Sequence, residues 1–215
     1  DFCLSRGLGD VYKRQLWVDD SYEDEPGVNT IVRIDFHTEK VAATITNAKT
    51  NLGQPFLQLA ATPDALWYAD WSGNTVKRLD PGTNKLFATI QAGLQPSSLA
   101  VGDGALWTSN HYSNLVTRID PSTNKVVATI PLNNYPPSPN VSSDCCGWSN
   151  SVGAGAVWTV AGSANRALVR IDPQTNAATA SLTFPQTIGP IAVEGGSVWV
   201  ETTDRLYRIN PAALK

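Results

Sequence analysis

The sequence predicts an all-β fold, a β-propeller built from four-stranded antiparallel blades. Three recurring markers predict it. An aliphatic residue followed by tryptophan occurs at Leu16-Trp17, Leu66-Trp67, Leu106-Trp107, Val157-Trp158 and Val198-Trp199, with Trp intervals of 50, 40, 51 and 41 residues. An arginine-aliphatic-acid triplet follows each, at Arg33-Ile34-Asp35, Arg78-Leu79-Asp80, Arg118-Ile119-Asp120, Arg170-Ile171-Asp172 and, amidated, Arg208-Ile209-Asn210. The third marker is Ala43-Thr44-Ile45, Ala88-Thr89-Ile90, Ala128-Thr129-Ile130 and a degraded Ala180-Ser181-Leu182. Markers in constant order at a period of about forty residues are the signature of tandem blades.

The cleanest copy runs from Ser98 to Leu132, and each element in it has a local reason. SLAVG, ALWTSN, LVTRID and VVATIPL are short runs rich in Val, Ile, Leu, Thr and Trp, which suit a pleated surface. We name these strands A to D. Gly102-Asp103-Gly104 supplies positions that tolerate positive φ between A and B. Asp120-Pro121-Ser122-Thr123-Asn124 joins C to D: the Asp accepts backbone N–H bonds, Pro presets φ, and Asn takes the left-handed conformation. The same turn recurs as Asp80-Pro81-Gly82-Thr83-Asn84 and Asp172-Pro173-Gln174-Thr175-Asn176, and its proline excludes a helix through these places.

A lone blade leaves both of its faces wet, so stacking is what stabilises the array. The five repeat tryptophans are therefore expected in the core between blades. A charged residue in every C strand is expected to bridge to neighbouring backbone or carboxylates. The first visible repeat starts at its B strand, and the last shows A (191–194), B (197–201) and C (206–210). About five blades are thus expected, as part of a ring of six or seven. The expected organisation is repeats at 16–50, 51–93, 94–132, 149–185 and 186–215, with an insertion loop at 133–148.

Composition narrows the function classes. The chain has 215 residues, 42% hydrophobic and 16% charged, with a net charge of -3 and no block of basic residues. A nucleic-acid partner has no electrostatic footprint here. The apolar runs are far shorter than a membrane-spanning helix requires.

Residues 1–15 match nothing in the repeats. Asp10-Val11-Tyr12-Lys13-Arg14-Gln15 back-translates as GAT GTG TAT AAG AGA CAG, which resembles the end sequence attached by transposase-based library preparation. The segment is expected to be adapter-derived and is set aside from fold reasoning.

Residues 16–215 resemble the bacterial propellers with YVTN-type repeats, related to the streptogramin (virginiamycin B) lyase-like group. The resemblance is carried by SNLVTRIDPSTNKVVATIP (Ser113 to Pro131), GNTVKRLDPGTNKLFATI (Gly73 to Ile90), LAVGDGALWTSN (Leu99 to Asn110) and IAVEGGSVWVE (Ile191 to Glu201). It implies a periplasmic, cell-surface or secreted setting. The motif encodes turns and packing, so it specifies a fold more than an activity. The lyase branch implies a divalent metal held with a His pair and a Glu. This chain has two histidines, His37 and His111, with no His-x-His, so that motif transfers to no position.

In a propeller the B–C loops and D-to-A connections emerge on one face, and loops on a rigid scaffold are where binding concentrates. That face is expected to collect Asp19, Asp20, Tyr22, Asp70, Trp71, Asn110, His111, Tyr112, Trp148 and Glu201. Trp71 and Tyr112 lie in matching loops, at places that the repeat pattern does not need; aromatic rings there suit stacking on a sugar or a peptide. Cys145-Cys146, in the insertion, fits a strained vicinal disulfide, a metal ligand or a pair of free thiols. The expectation is a non-catalytic binding module for a peptide, glycan or protein ligand, without cofactor. A metal-dependent lyase of the streptogramin type and a structural cell-surface repeat are the alternatives, and only the lyase calls for a divalent metal.

Overall fold

A computed structural model describes residues 15–19, 29–35, 37–47, 58–111, 113–132, 149–162 and 165–214. Among them every extended element is a β-strand in an antiparallel sheet, and no α-helix occurs. The five sheets fall into two compact units, residues 1–91 and 92–215.

The first unit holds two sheets. β1 (Gln15–Asp19), β2 (Asn29–Asp35) and β3 (Lys40–Asn47) form the first. β4 (Leu59–Thr62), β5 (Ala65–Asp70), β6 (Thr75–Asp80) and β7 (Lys85–Gln91) form the second. Gln15, the last residue of the segment that the sequence sets aside, is the first residue of β1 and lies opposite Asp35. Trp17 and Ile31 of the first sheet pack against Leu59, Leu66, Tyr68 and Leu79 of the second.

The second unit holds three. The third sheet is β8 (Pro96–Gly102), β9 (Ala105–Asn110), β10 (Leu115–Asp120) and β11 (Lys125–Pro131). The fourth is β12 (Asn150–Gly153), β13 (Ala156–Ala161), β14 (Ala167–Asp172) and β15 (Ala177–Thr183). β16 (Ile188–Glu194), β17 (Ser197–Thr202) and β18 (Leu206–Ile209) make the fifth, followed by a 3-10 turn at Pro211–Ala213. Trp107, Val116 and Ile130 of the third sheet meet Val157, Val169 and Ile171 of the fourth. Trp158, Val160 and Leu168 of the fourth meet Ile191, Val198 and Val200 of the fifth. One rule covers every such contact: the tryptophan-bearing face of a sheet covers the opposite face of its successor. Trp17, Trp67, Trp107 and Trp158 are fully buried, whereas Trp199 of the fifth sheet is only half-buried.

Within each sheet the arginine of the C strand lies opposite the tryptophan of the B strand, as in Trp107↔Arg118 and Trp199↔Arg208. The guanidinium sits over the indole ring at 5.0 to 5.7 Å for Arg33, Arg78, Arg118 and Arg208. Such cation–π contacts keep a charged group satisfied against an apolar ring. The same arginines reach outward. Arg33 Nη1 donates to the Pro81 carbonyl at 2.7 Å, and Arg118 Nη1 to the Pro173 carbonyl at 2.8 Å. Each thereby ties one sheet to the C–D turn of the next. Arg78 instead pairs with Asp64 at 2.5 Å.

The C–D turns are built as the sequence predicts. Asp35, Asp80, Asp120 and Asp172 each accept through Oδ1 from the N–H two residues on, at 2.7 to 2.8 Å. Asn84, Asn124 and Asn176 adopt φ of 58°, 57° and 55°, the left-handed region that Asn tolerates. Glu39 takes that place in the first sheet, at φ 54°. A one-residue bulge follows the arginine opposite each of these turns, between Arg33/Ile34, Arg78/Leu79, Arg118/Ile119 and Arg170/Ile171.

The A strands of the second unit are joined by serine hydroxyls. The Asn150 N–H donates to Ser98 Oγ at 2.8 Å, and one repeat later the Ile191 N–H donates to Ser149 Oγ at 3.0 Å. The Val193 N–H adds a bond to Ser151 Oγ at 3.2 Å. Beside these bonds lies a steric notch. A Cβ on Gly102 would fall within 2.7 Å of the Val152 side chain, and one on Gly153 within 2.8 Å of Val193. Gly102 and Gly153 occupy equivalent positions, as do Val152 and Val193, so the joint repeats with the sequence.

Candidate functional site

Antiparallel order places the B–C loop of each sheet at the same end as its D-to-A connections. In the first unit the B–C loop of the second sheet spans residues 71–74 between β5 and β6. Asp70, at the end of β5, is buried; its Oδ2 meets Lys77 Nζ at 2.7 Å and its Oδ1 accepts from the Gly73 N–H at 3.0 Å. Lys77 also lies over the Tyr68 ring at 5.6 Å. Burial, reinforced by the Asp70 charge, raises the Tyr68 hydroxyl pKa. Asp70 therefore closes its own loop and neutralises Lys77. Lys77 was not among the sequence-predicted site residues, although its place opposite Tyr68 follows from the strand register. Trp71 sits half-buried at the head of the loop.

In the second unit the B–C loop of the third sheet is the most fully braced. Asn110 is completely buried, and its Nδ2 donates to the Leu115 carbonyl at 3.2 Å and to Thr117 Oγ1 at 2.9 Å. Thr117 Oγ1 in turn donates to the Ala92 carbonyl. The Asn110 side chain lies against Gly93, which has φ 125° and on which a Cβ would come 2.7 Å from Asn110 Cγ. The His111 N–H donates to the Gln95 carbonyl at 2.8 Å, and its side chain is buried. Burial lowers the pKa of the imidazole and favours its neutral form.

The other loops of this unit are laced in the same way. Asn114 Nδ2 donates to the Leu132 carbonyl at 3.1 Å, while the Leu132 N–H donates back to the Asn114 carbonyl at 2.9 Å. The Leu94 N–H donates to Ser113 Oγ at 3.2 Å. In the fourth sheet the Phe184 N–H donates to the Arg166 carbonyl at 2.8 Å. In the fifth, the Thr202 N–H donates to the Arg205 carbonyl at 2.8 Å, and Gln186 Nε2 to Asp204 Oδ2 at 3.4 Å. Among the described residues of this unit, D-to-A connections are thus tied to B–C loops by backbone pairs and by the side chains of Ser113, Asn114 and Gln186. Sequence reasoning missed the backbone pairs because carbonyl acceptors leave no residue-type signature; Asn114, at φ 47°, is a legible sign of the bracing.

A polar seam runs beneath these loops. Ser98, Thr108, Ser109, Asn110, Thr117, Asn150 and Thr159 are all buried. The Ser109 hydroxyl and the Asn150 side-chain amide share a hydrogen bond of 2.8 Å across the third and fourth sheets. Such buried polar pairs must be satisfied to be tolerated, and once satisfied they fix register.

Of the sequence-predicted site residues, Asp70, Asn110 and His111 are buried parts of the loop framework, and Glu201 is exposed at the end of β17. Asp19 ends β1. Asp20, Tyr22, Tyr112, Cys145, Cys146 and Trp148 lie outside the described residues. His37 stands exposed in a C–D turn. Among the described residues no group of three or more His, Cys, Asp or Glu side chains is arranged to hold a metal ion.

No protein-family model matches the sequence, and no curated protein matches it. Solved structures do. The chain superposes on hydrazine synthase of Kuenenia stuttgartiensis with a TM-score of 0.72 and 13% identity, over 99% of this chain and 65% of that one. It superposes on BamB of Moraxella catarrhalis with a TM-score of 0.66 and 12% identity, over 94% of this chain and 57% of that one. Glutaminyl cyclase of Myxococcus xanthus gives a TM-score of 0.53 and 14% identity, over 95% of this chain and 89% of that one. The chain therefore spans 65% and 57% of the lengths of the first two. Hydrazine synthase and BamB are β-propeller proteins. At these identities the likeness concerns architecture alone, and it establishes the sheets described above as blades of a β-propeller.

Proposed function

We propose that this chain is a non-catalytic propeller module that binds a peptide, glycan or protein ligand through its B–C loops. The observation that carries the reading is the division of labour at the loop ends. Asp70 and Asn110 are turned inward and brace the loops through their side chains, and His111 is buried with its N–H bonded to the Gln95 carbonyl, while Trp71 remains half-buried at the head of its loop. Rigid loops topped by an aromatic residue lose little conformational entropy on binding, which favours recognition by stacking. Tyr112, one position further along the corresponding loop of the next repeat, belongs to the same proposed contact set. The resemblance to YVTN-type repeats and the extracytoplasmic setting that it implies agree with this reading.

The test is a screen of the full chain against arrayed glycans and a displayed peptide library, repeated with Trp71→Ala and Tyr112→Ala. The expected result is at least one hit weakened about tenfold or more by loss of an aromatic ring, a difference of about 1.4 kcal/mol. Hits indifferent to both substitutions, or turnover of a screened compound, would overturn the proposal.

A further inference from the structure

The connection that leads into β8 holds its backbone under strain. Ala92 and Pro96 are buried at its two ends, and between them Leu94 is 52% exposed. Gly93 has φ 125° and Gln95 φ 54°. Glycine takes such an angle freely; a glutamine that precedes a proline does not. The length of the span does not require this. The connection from β15 to β16 is equally long, 184–187 against 92–95, and none of its residues has a positive φ.

A cost is also stored next to this segment. Asn110 is completely buried, and although its Nδ2 donates to Leu115 and Thr117, its Oδ1 accepts no hydrogen bond from any described residue. That oxygen lies against Gly93, where a Cβ would come 2.8 Å from it. At the corresponding place opposite Ile188, Thr202 Oγ1 donates to the Arg205 carbonyl at 3.1 Å. A buried acceptor without a donor carries the desolvation cost of its group until a donor reaches it. The middle of the segment is tied by the Leu94 N–H to Ser113 Oγ at 3.2 Å, and by the His111 N–H to the Gln95 carbonyl at 2.8 Å.

We propose that residues 93–95 form a strap that opens between its buried ends, relaxing Gln95 and uncovering the Asn110 amide oxygen while β9 and β10 stay paired. Strained, exposed segments are where such local openings arise. Thr117, whose hydroxyl donates to the Ala92 carbonyl, fixes one end of the strap, and the pairing of Pro96 with Asn110 fixes the other. The uncovered oxygen suits a hydroxyl or N–H donor on the ligand proposed above. That role rests on the binding reading, whereas the opening does not.

The test is amide hydrogen exchange on the full chain without ligand, read at His111, whose N–H is released when Gln95 lifts, against the amides of β9 and β10. In the parent protein His111 should exchange about tenfold faster than those amides or more, with little dependence on sub-denaturing urea, the mark of a local opening. Gln95→Gly, for which φ 54° carries no steric cost, should slow His111 severalfold relative to them. Gly93→Ala, whose methyl collides with Asn110, should speed it by about tenfold on the same scale. If Gly93→Ala does not fold, Gln95→Gly decides alone. A His111 amide as slow as those of β9 and β10, rising with urea alongside them, would overturn the proposal. So would a relative rate indifferent to Gln95→Gly, or to Gly93→Ala in a folded variant. No ligand enters the measurement, so the glycan and peptide screen decides the binding reading separately.

Discussion

At the scale of single residues, the joint between successive sheets depends on very little matter. Gly102 is the sharpest case, because an added methyl would collide with Val152 Cγ1 and stand 2.7 Å from its Cβ. Neither atom is the end of a flexible side chain, so the sheets themselves must give way. Gly102→Ala should therefore destabilise the protein by about 1–3 kcal/mol, the usual cost of overpacking, read as a lower urea midpoint at unchanged m-value. An unchanged midpoint would show that the two A strands are not held at this distance. None of this was visible in the sequence, where Gly102 reads as part of the Gly102-Asp103-Gly104 turn. The turn assignment holds, with Asp103 at φ 48° and Gly104 at φ 70°. The second reason for glycine appears only when the neighbouring sheet is in place.

At the scale of elements, the C–D turn is where sequence and structure agree most closely, because its chemistry is local. Asp, Pro and Asn act on their own backbone within a few residues, so a pattern is enough to read them. The turn also confers a pH dependence. Backbone N–H groups, chiefly those of Thr38 and His37, hold Asp35 below the ordinary carboxylate pKa, and those of Thr83 and Gly82 do the same for Asp80. Ser122, through hydroxyl and backbone, does so for Asp120. A carboxylate whose pKa falls on folding contributes stability that is complete above its unfolded value, near 3.9, and is lost as pH falls through the folded one. Thermal stability should therefore drop with acid below about pH 4. D120N, which removes the titration, should show a smaller drop over that interval. Equal acid limbs for the two proteins would mean that the turn carboxylate contributes nothing to the pH dependence. The B–C loops are the opposite case. Asp70, Asn110 and His111 were legible as polar loop residues, yet whether such a residue faces solvent or braces the loop depends on Lys77, Thr117 and Gln95, which lie on other strands or connections.

At the scale of the whole molecule, the all-β propeller class was legible because it rests on a period, and a period survives errors in any one strand. Burial of Trp17, Trp67, Trp107 and Trp158 follows from it, whereas Trp199 of the fifth sheet is half-buried. An array held by contacts between neighbours has a stability that approximates a sum of interface terms. The bonds from Asn150 to Ser98 and from Ile191 to Ser149 lie in different interfaces of the second unit. Ser98→Ala and Ser149→Ala should each cost about 1–3 kcal/mol, the penalty for leaving a buried donor unpaired. The two bonds meet at the adjacent residues Ser149 and Asn150, so the double variant should depart from additivity by about 0.5 kcal/mol or more. Strict additivity, measured by denaturant unfolding of both singles and the double, would mean that the two interfaces are energetically separate despite sharing this strand.

The serine and the glycine of the joint lie on the same short strand, only four residues apart at Ser98 and Gly102. Whenever a gene segment encoding one repeat is duplicated in frame, the daughter copy inherits both halves of the fitting at once, the hydroxyl and gap on one side and the N–H and valine on the other. Growth of such an array by in-frame duplication needs no fresh adaptation at the new boundary, whereas a copy of the second or fifth repeat, with Gln58 and Thr62 or Pro190 and Glu194 at these places, would not carry the fitting.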